Sequence, residues 1–305
     1  METNKIALED IKKVYRENTE NLQEKFLKLE SSFLSQVYNR YNKDLDNGII
    51  ILNFSSEAHR SILRVRENDL FHDISFNNFW SNCEDMNDSN LKIVTISKKT
   101  DLPKETARRK INQLVDDKIL FLDKDKKIFW KPTLGYKKTY NELIEIEINE
   151  IAQFIEIIGK YLKISMSKDK IVNEIKKHFS FYWYHYLNSQ LLYLKNWQKK
   201  FKDLELFLIG IECLLQMDYS DTKTFSITSN TISDITGIPR STCIRKLETL
   251  TKLKFIKKNT TFKKYFIEKK NIYSNSSLGK EVSNAVIENF CYLFLLVIRG
   301  TNRQT

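Results

Sequence analysis

Glycine and proline are scarce in this sequence, which has 7 Gly and 3 Pro in 305 residues. Glycine-rich phosphate-binding loops and turn-rich β-sandwiches both need more of these residues. A mainly helical fold is therefore the first expectation. The content of 41% apolar and 12% aromatic residues is enough to fill the cores of roughly two domains of ~150 residues.

Long apolar runs and paired-cysteine motifs are also missing. The longest uncharged apolar run, residues 290–298, is far shorter than the ~20 residues that cross a bilayer, and the first residues lack the layout of a signal peptide. The four cysteines have no C-x-x-C spacing: Cys83, Cys213, Cys243 and Cys291. We expect a reduced, cytoplasmic protein without a membrane partner or disulfides.

No catalytic or metal-binding motif occurs. The sequence has no G-x-S-x-G, G-x-x-x-x-G-K-[ST], G-x-G-x-x-G or H-E-x-x-H. His178 and His185 are seven residues apart, whereas helical metal ligands are usually three or four apart. These absences predict that the protein is not an enzyme and has no metal or other cofactor.

What the sequence does contain is an internal repeat with an offset of 136 residues. TISKKTDLPKETARRKINQLVDDK, residues 95–118, aligns without a gap to TISDITGIPRSTCIRKLETLTKLK, residues 231–254, and ten of the 24 positions are identical. Identity at a fixed offset indicates a duplicated structural unit.

Each copy predicts two helices joined by a turn. Thr95 and Thr231 are the expected N-caps of the first helix, and Pro103 and Pro239 the expected start of the second. Apolar residues at i, i+4 and i+7 of the second helix predict a buried stripe, which comprises Ala107, Ile111 and Leu114 in one copy and Cys243, Leu247 and Leu250 in the other. Cys243 is thus expected to be a buried packing residue.

A β-hairpin is predicted after each second helix, and a short strand before each first helix. The hairpin strands are residues 119–122 and 128–130 in copy one, and 255–256 and 262–267 in copy two, with lysine-rich tips between them. The preceding strands are expected at 93–94 and 225–227.

With this order of elements, "TISKKTDLPKETARRKINQLVDDKIL" and "TISDITGIPRSTCIRKLETLTKLKFI" resemble the DNA-binding core of bacterial winged-helix regulators. The resemblance covers residues 91–131 and 225–268. It departs from the family at Lys118 and Lys254, where these families usually have glycine before the first wing strand. It implies a mainly α fold with small β-wings, in which long helices flank two winged helix-turn-helix domains.

The flanking segments suggest five consecutive regions: an N-terminal helical region (1–66), winged domain 1 (67–135), connecting helices (136–200), winged domain 2 (201–271) and a C-terminal helix and tail (272–305). Single long helices are predicted over residues 141–164 and 281–298. This layout is similar to that of MarR-type regulators, duplicated in one chain as a pseudo-dimer. That similarity implies a homodimer through the outer helices. The aromatic cluster of residues 179–197 is interpreted as core packing rather than as a binding surface.

The distribution of charge distinguishes a binding footprint from a general compositional bias. The whole chain has a net charge of +11, and an even spread would leave the repeats no more positive than the rest. Residues 92–131 instead have 12 basic and 6 acidic residues, and residues 228–270 have 11 and 3, so the remaining chain is slightly acidic. This concentration predicts phosphate binding by the repeats.

Helix geometry then assigns roles, because the second helix of a helix-turn-helix enters the major groove. The candidates for base contact are Lys104, Glu105, Arg108, Arg240, Ser241 and Ile244. Thr106 and Thr242 are expected to donate to phosphate, and Arg109 and Arg245 to contact phosphate or bases, with a structural salt bridge as the alternative. The candidate wing contacts are Lys124, Lys126, Lys127, Lys257, Lys258, Lys263 and Lys264.

These features favour sequence-specific binding of double-stranded DNA and a nucleoid-associated transcriptional regulator. Because the two second helices differ at exposed positions, unlike half-sites are expected, about one helical turn apart if the cores are related by a pseudo-twofold. A plasmid-type or phage-type replication initiator is one alternative. A protein-interaction subunit of a chromosome-organising complex is the other. The target site, the regulated genes and any small effector are not readable from the sequence.

Overall fold

The computed structural model describes residues 6–85, 90–201, 203–216, 227–261, 264–266 and 277–302. The helices are α1 (Leu8–Glu17), α2 (Thr19–Arg40), α3 (Leu45–Asn68), α4 (Phe79–Asp85), α5 (Ile93–Thr100), α6 (Lys104–Asp116), α7 (Leu134–Tyr161), α8 (Lys168–Lys177), α9 (Phe179–Phe201), α10 (Leu204–Leu215), α11 (Ser229–Thr236), α12 (Arg240–Lys252), α13 (Ser277–Asn289) and α14 (Cys291–Asn302). The strands are β1 (Asn90–Leu91), β2 (Leu120–Leu122), β3 (Ile128–Trp130), β4 (Lys257–Asn259) and β5 (Lys264–Phe266).

The fold is mainly helical with small antiparallel sheets, which confirms the predicted fold class at this level. One sheet has the strand order β1-β3-β2, and the other pairs β4 with β5. Among the described residues no single helix has the length and apolar character to cross a membrane; α13 and α14 pass that test only together, as a bent pair and by length and composition alone.

The chain divides into two compact units made of discontinuous segments. Unit 1 contains the described residues of Met1–Val14, Asp46–Lys195 and Glu288–Thr305, and unit 2 contains Tyr15–Leu45 and Asn196–Ile287. Each unit holds one copy of the repeat, called here repeat 1 (residues 91–131) and repeat 2 (residues 225–268). Segments distant in sequence assemble each unit, a grouping that differs from the five consecutive regions expected above.

In unit 1, an aromatic cluster forms the core beside repeat 1. The Phe79 ring lies 5.5 Å from Phe179 and 6.2 Å from both Trp130 and Tyr140, measured between ring centroids. The side chains of α9 that belong to this unit continue the core, because Tyr182, Trp183, Tyr186 and Tyr193 are also buried. The interpretation of this stretch as core packing is confirmed.

In unit 2, α10 is the central helix. Its side chains are buried from Leu206 through Leu214, and it packs against α2 and α12. A helix that is apolar on all sides needs such enclosure on all sides. Cys243 of α12 is fully buried here, and burial raises the pKa of its thiol to about 11. The predicted packing role of Cys243 is therefore confirmed.

Several predicted boundaries were wrong. The first helix of each repeat begins earlier than expected, because Lys92 and Thr228 are the N-caps rather than Thr95 and Thr231. Ile93 and Val94 are consequently helical, and the strand lies at β1. The predicted strand 225–227 falls partly outside the described residues, but Ile227 does pair with Tyr265. A short run of β-branched residues such as Ile93 and Val94 is compatible with a strand and with the first turn of a helix, so the sequence pattern alone does not distinguish the two.

Three further boundary errors concern the hairpin of repeat 2 and the two long helices. The first strand of the repeat 2 hairpin is β4, which lies in the predicted lysine-rich tip rather than at residues 255–256. The helix predicted at 141–164 is α7, which begins at Leu134 because the Thr133 side chain caps it there. The helix predicted at 281–298 is two helices, since helical structure is interrupted between Asn289 and Cys291.

Candidate nucleic-acid interface

The two repeats have the same backbone plan. The second helices, α6 and α12, are offset by 136 residues at both ends, and so are the first helices, α5 and α11. Pro103 and Pro239 lie directly before the second helices, with φ of −52° and −53°, and their carbonyls accept the first helical hydrogen bonds. The predicted starts of the two second helices, at Pro103 and Pro239, are therefore correct to within one residue.

Identical side chains build the turn between the two helices. Ser97 donates from its hydroxyl to the Leu102 carbonyl at 2.7 Å, and Ser233 donates to the Ile238 carbonyl at the same distance. Thr100 and Thr236 bond the carbonyl four residues back in each copy. The identity of the serine and of the threonine between the two repeats is therefore explained by the hydrogen bonds that their side chains make at the turn.

The turn that follows each second helix also has the same geometry. Lys118 and Lys254 adopt left-handed conformations, with φ of 57° and 58°. The next amide donates to the carbonyl five residues earlier, from Ile119 to Leu114 and from Phe255 to Leu250, at 2.9–3.0 Å. This is a Schellman turn, in which glycine usually takes the left-handed position. Lysine therefore preserves the turn despite its backbone cost.

A further pair of identical lysines anchors the second helices inward. Lys110 of α6 is buried and lies 3.3 Å from the Asp46 carboxylate at the start of α3. Lys246 of α12 is equally buried and pairs with Asp203 and Glu205 at the start of α10. Charges at these helix starts also complement the helix dipoles. Both lysines therefore help to hold the second helix in its unit, although the sequence analysis had counted them among the basic residues of the repeats.

Two identities have no structural role among the described residues. Arg109 and Arg245 are exposed at equivalent places on α6 and α12, and neither side chain has an ion-pair partner there. The structural salt bridge considered as the alternative for these arginines is therefore not found in that part of the chain. Thr106 and Thr242, half-buried, precede them by one turn on the same face.

The candidates for base contact fall into two different arrangements. In repeat 1 the Arg108 guanidinium donates to both oxygens of Glu105, at 2.6 and 2.7 Å, and both side chains are exposed. In repeat 2 the same positions are Ser241 and the half-buried Ile244.

The first residue of the second helix also differs between the repeats. Arg240 of α12 donates to the Asn230 side chain at 2.5 Å. The equivalent residues of repeat 1 are Lys104 and Val94, which cannot make that bond because valine has no acceptor. The structure thus orients one arginine in each repeat, but at different helical positions.

Of the wing candidates, five are exposed cations: Lys124, Lys126, Lys127, Lys257 and Lys264. Lys263 lies outside the described residues. Lys258 differs from the expectation of an available cation, because it pairs with Glu248 of α12, which also accepts a bond from the Tyr265 hydroxyl at 3.0 Å. The bond from Lys258 lowers the pKa of the Glu248 carboxyl and raises the pKa of Lys258.

No group of histidine, cysteine, aspartate and glutamate side chains suited to a metal ion occurs among the described residues. Comparisons with models of protein families, with curated proteins and with solved structures found no match to this chain.

Proposed function

We propose that this protein binds double-stranded DNA sequence-specifically through two non-identical winged helix-turn-helix domains, repeats 1 and 2, and regulates transcription. The second helices would enter the major groove, and the hairpins would act as wings beside the phosphate backbone.

The observation that carries this proposal is an arginine that both repeats retain at the same exposed position, without an ion-pair partner among the described residues. Buried packing, turn bonds and inward ion pairs account for most of the other identities. Arg109 and Arg245 have no such role among the described residues, and each follows an identical threonine by three positions. A hydroxyl donor at i and a guanidinium donor at i+3 on one helix face suit a phosphate group.

The exposed charge supports the same conclusion. Lys110 is buried, and the other eleven basic residues of 92–131 are exposed, against five exposed acidic residues. In repeat 2, the exposed cations of α12 and its hairpin include Arg240, Arg245, Lys257 and Lys264. Arg109 and Arg245 are the most available of these cations for a polyanion, because neither has an ion-pair partner to give up among the described residues.

Unlike half-sites follow from the two arrangements of oriented arginine. A guanidinium held in place loses less entropy when it binds guanine through two hydrogen bonds. Repeat 1 would place that contact at Arg108, one turn into α6, and repeat 2 at Arg240, at the start of α12. Ile244 would instead pack against a thymine methyl.

Salt-dependent binding of random-sequence duplex DNA tests this proposal. We expect the affinity to fall steeply with salt, and Arg109→Ala or Arg245→Ala to weaken it about fivefold to tenfold and to reduce the salt slope by ~1 each. Lys177→Ala is the matched control, since Lys177 is an exposed cation of α8 outside both repeats. Equal effects of all three variants would refute an interface on the second helices.

Selection of bound sequences from a random duplex pool tests the unlike half-sites. An asymmetric enriched motif is expected, and Arg108→Ala should relax base preference in one half only. A palindromic motif bound by a single chain would contradict the assignment.

A further inference from the structure

The hairpin of repeat 1 exposes an aromatic surface that the proposed groove contacts do not use. Phe121 of β2 lies opposite Phe129 of β3, and their ring centroids are 6.4 Å apart. Phe121 is 49% exposed and Phe129 is half-buried. The Lys131 ammonium lies over both rings, at 5.9 and 5.3 Å from their centroids. We call Phe121, Phe129 and Lys131 the aromatic platform.

The alternation of the strands explains why these rings point outward. Leu120, Ile128 and Trp130 occupy the other face of the hairpin and are buried in unit 1. The core therefore does not need the Phe121 ring. The two rings therefore form a small aromatic surface that the core of unit 1 leaves open to solvent.

The hairpin of repeat 2 provides an internal comparison. There Tyr265 takes the place of Ile128, because Ile227 pairs with it as Leu91 pairs with Ile128 in repeat 1. The pair equivalent to Phe121 and Phe129 is therefore Lys257 and Phe266. Lys257 is exposed and Phe266 is half-buried. Repeat 2 thus has a lysine and one ring where repeat 1 has two facing aromatic rings.

We propose that the aromatic platform stacks with an unpaired base of a DNA strand that extends beyond the duplex bound by repeat 1. This inference rests on the proposed function. Aromatic rings stack on any base, and a lysine beside them can bind the adjoining phosphate. The occupant is a nucleic acid because the neighbouring exposed side chains include Lys124, Lys126 and Lys127. Lys131 leaves the ring faces when the base arrives and pairs with its phosphate.

The test compares a blunt duplex with the same duplex carrying a single-stranded extension, using the full chain. We expect wild-type protein to bind the extended duplex about tenfold more tightly than the blunt one, as one stacked base provides. Phe121→Ala should abolish this preference and leave the affinity for the blunt duplex unchanged. Phe121→Trp should keep the preference, since tryptophan also stacks.

Leu253→Ala is the matched control, because Leu253 is an exposed apolar residue of repeat 2 and its loss should leave the preference intact. Wild-type protein without a preference for the extended duplex, or Phe121→Ala protein that retains it, would overturn the inference. So would self-association in sedimentation equilibrium that Phe121→Ala removes, since the platform would then belong to a second copy. Failure of the proposed function is distinguishable, because the blunt duplex itself would not bind.

Discussion

Replacing the left-handed lysines by glycine should stabilise the protein. Lys118 and Lys254 have φ of 57° and 58° and occupy the same position of a Schellman turn. A residue with a Cβ loses about 1–2 kcal/mol in this conformation. Glycine avoids that cost but loses about 0.5–1 kcal/mol more backbone entropy on folding. Both lysine side chains are exposed, so little packing is lost.

The expected net gain is about 0.5–1 kcal/mol for each single variant. Urea unfolding followed by far-UV circular dichroism measures it, and the midpoint should rise by about 0.25–0.5 M if the slope is about 2 kcal/mol per M. Lys118→Ala and Lys254→Ala are the controls, because alanine removes the same side chain but keeps the strained backbone. Glycine variants no more stable than the alanine variants would refute the reasoning.

Two further predictions concern unit 1. Gly300→Ala should destabilise the protein by about 1–3 kcal/mol, because the added methyl would overlap the Tyr182 hydroxyl and the Glu174 carboxylate, whereas Gly135→Ala, with open space around it, should cost nothing in the same urea titration. His59 is fully buried, and burial lowers its pKa from 6.5 to about 3, so the folded state binds its proton later than the unfolded state as the pH falls. Stability should therefore decline by about 1.4 kcal/mol per pH unit below 6.5, and His59→Phe should reduce that decline between pH 6.5 and 5; an unchanged slope would contradict it.

The repeated pair of helices joined by a turn could be predicted from the sequence because its determinants are local. Proline before a helix, serine and threonine bonding the turn, and an apolar stripe at i, i+4 and i+7 all act within about twenty residues. The start of α6 at Lys104 and the hairpin strand β3 were accordingly predicted well. In repeat 2 the first-helix N-cap was misplaced because Thr228 and Thr231 are equally suited to capping, and only the folded chain selects between them. In repeat 1 the N-cap is Lys92, whose side chain makes no capping hydrogen bond, so no capping residue marked the helix start.

The candidate interface could be predicted only in part, because ion pairing depends on which side chains meet in the folded chain. A sequence shows that a lysine is basic, but not which carboxylate lies beside it. Lys110 and Lys246 were counted in the basic excess of the repeats, but in the folded chain each is buried beside acidic residues at a helix start. Lys258, a candidate wing contact, likewise forms an ion pair with Glu248.

By itself, the sequence determined the duplication, the helical class, the concentration of basic residues in the repeats and the position of each second helix. These properties depend on composition and on neighbours along the chain. The tertiary structure alone decided the discontinuous units, the partners of the buried lysines and the exposure of Phe121. Those properties depend on which distant segments pack together, since burial and ion pairing are set by contacts that sequence spacing does not specify.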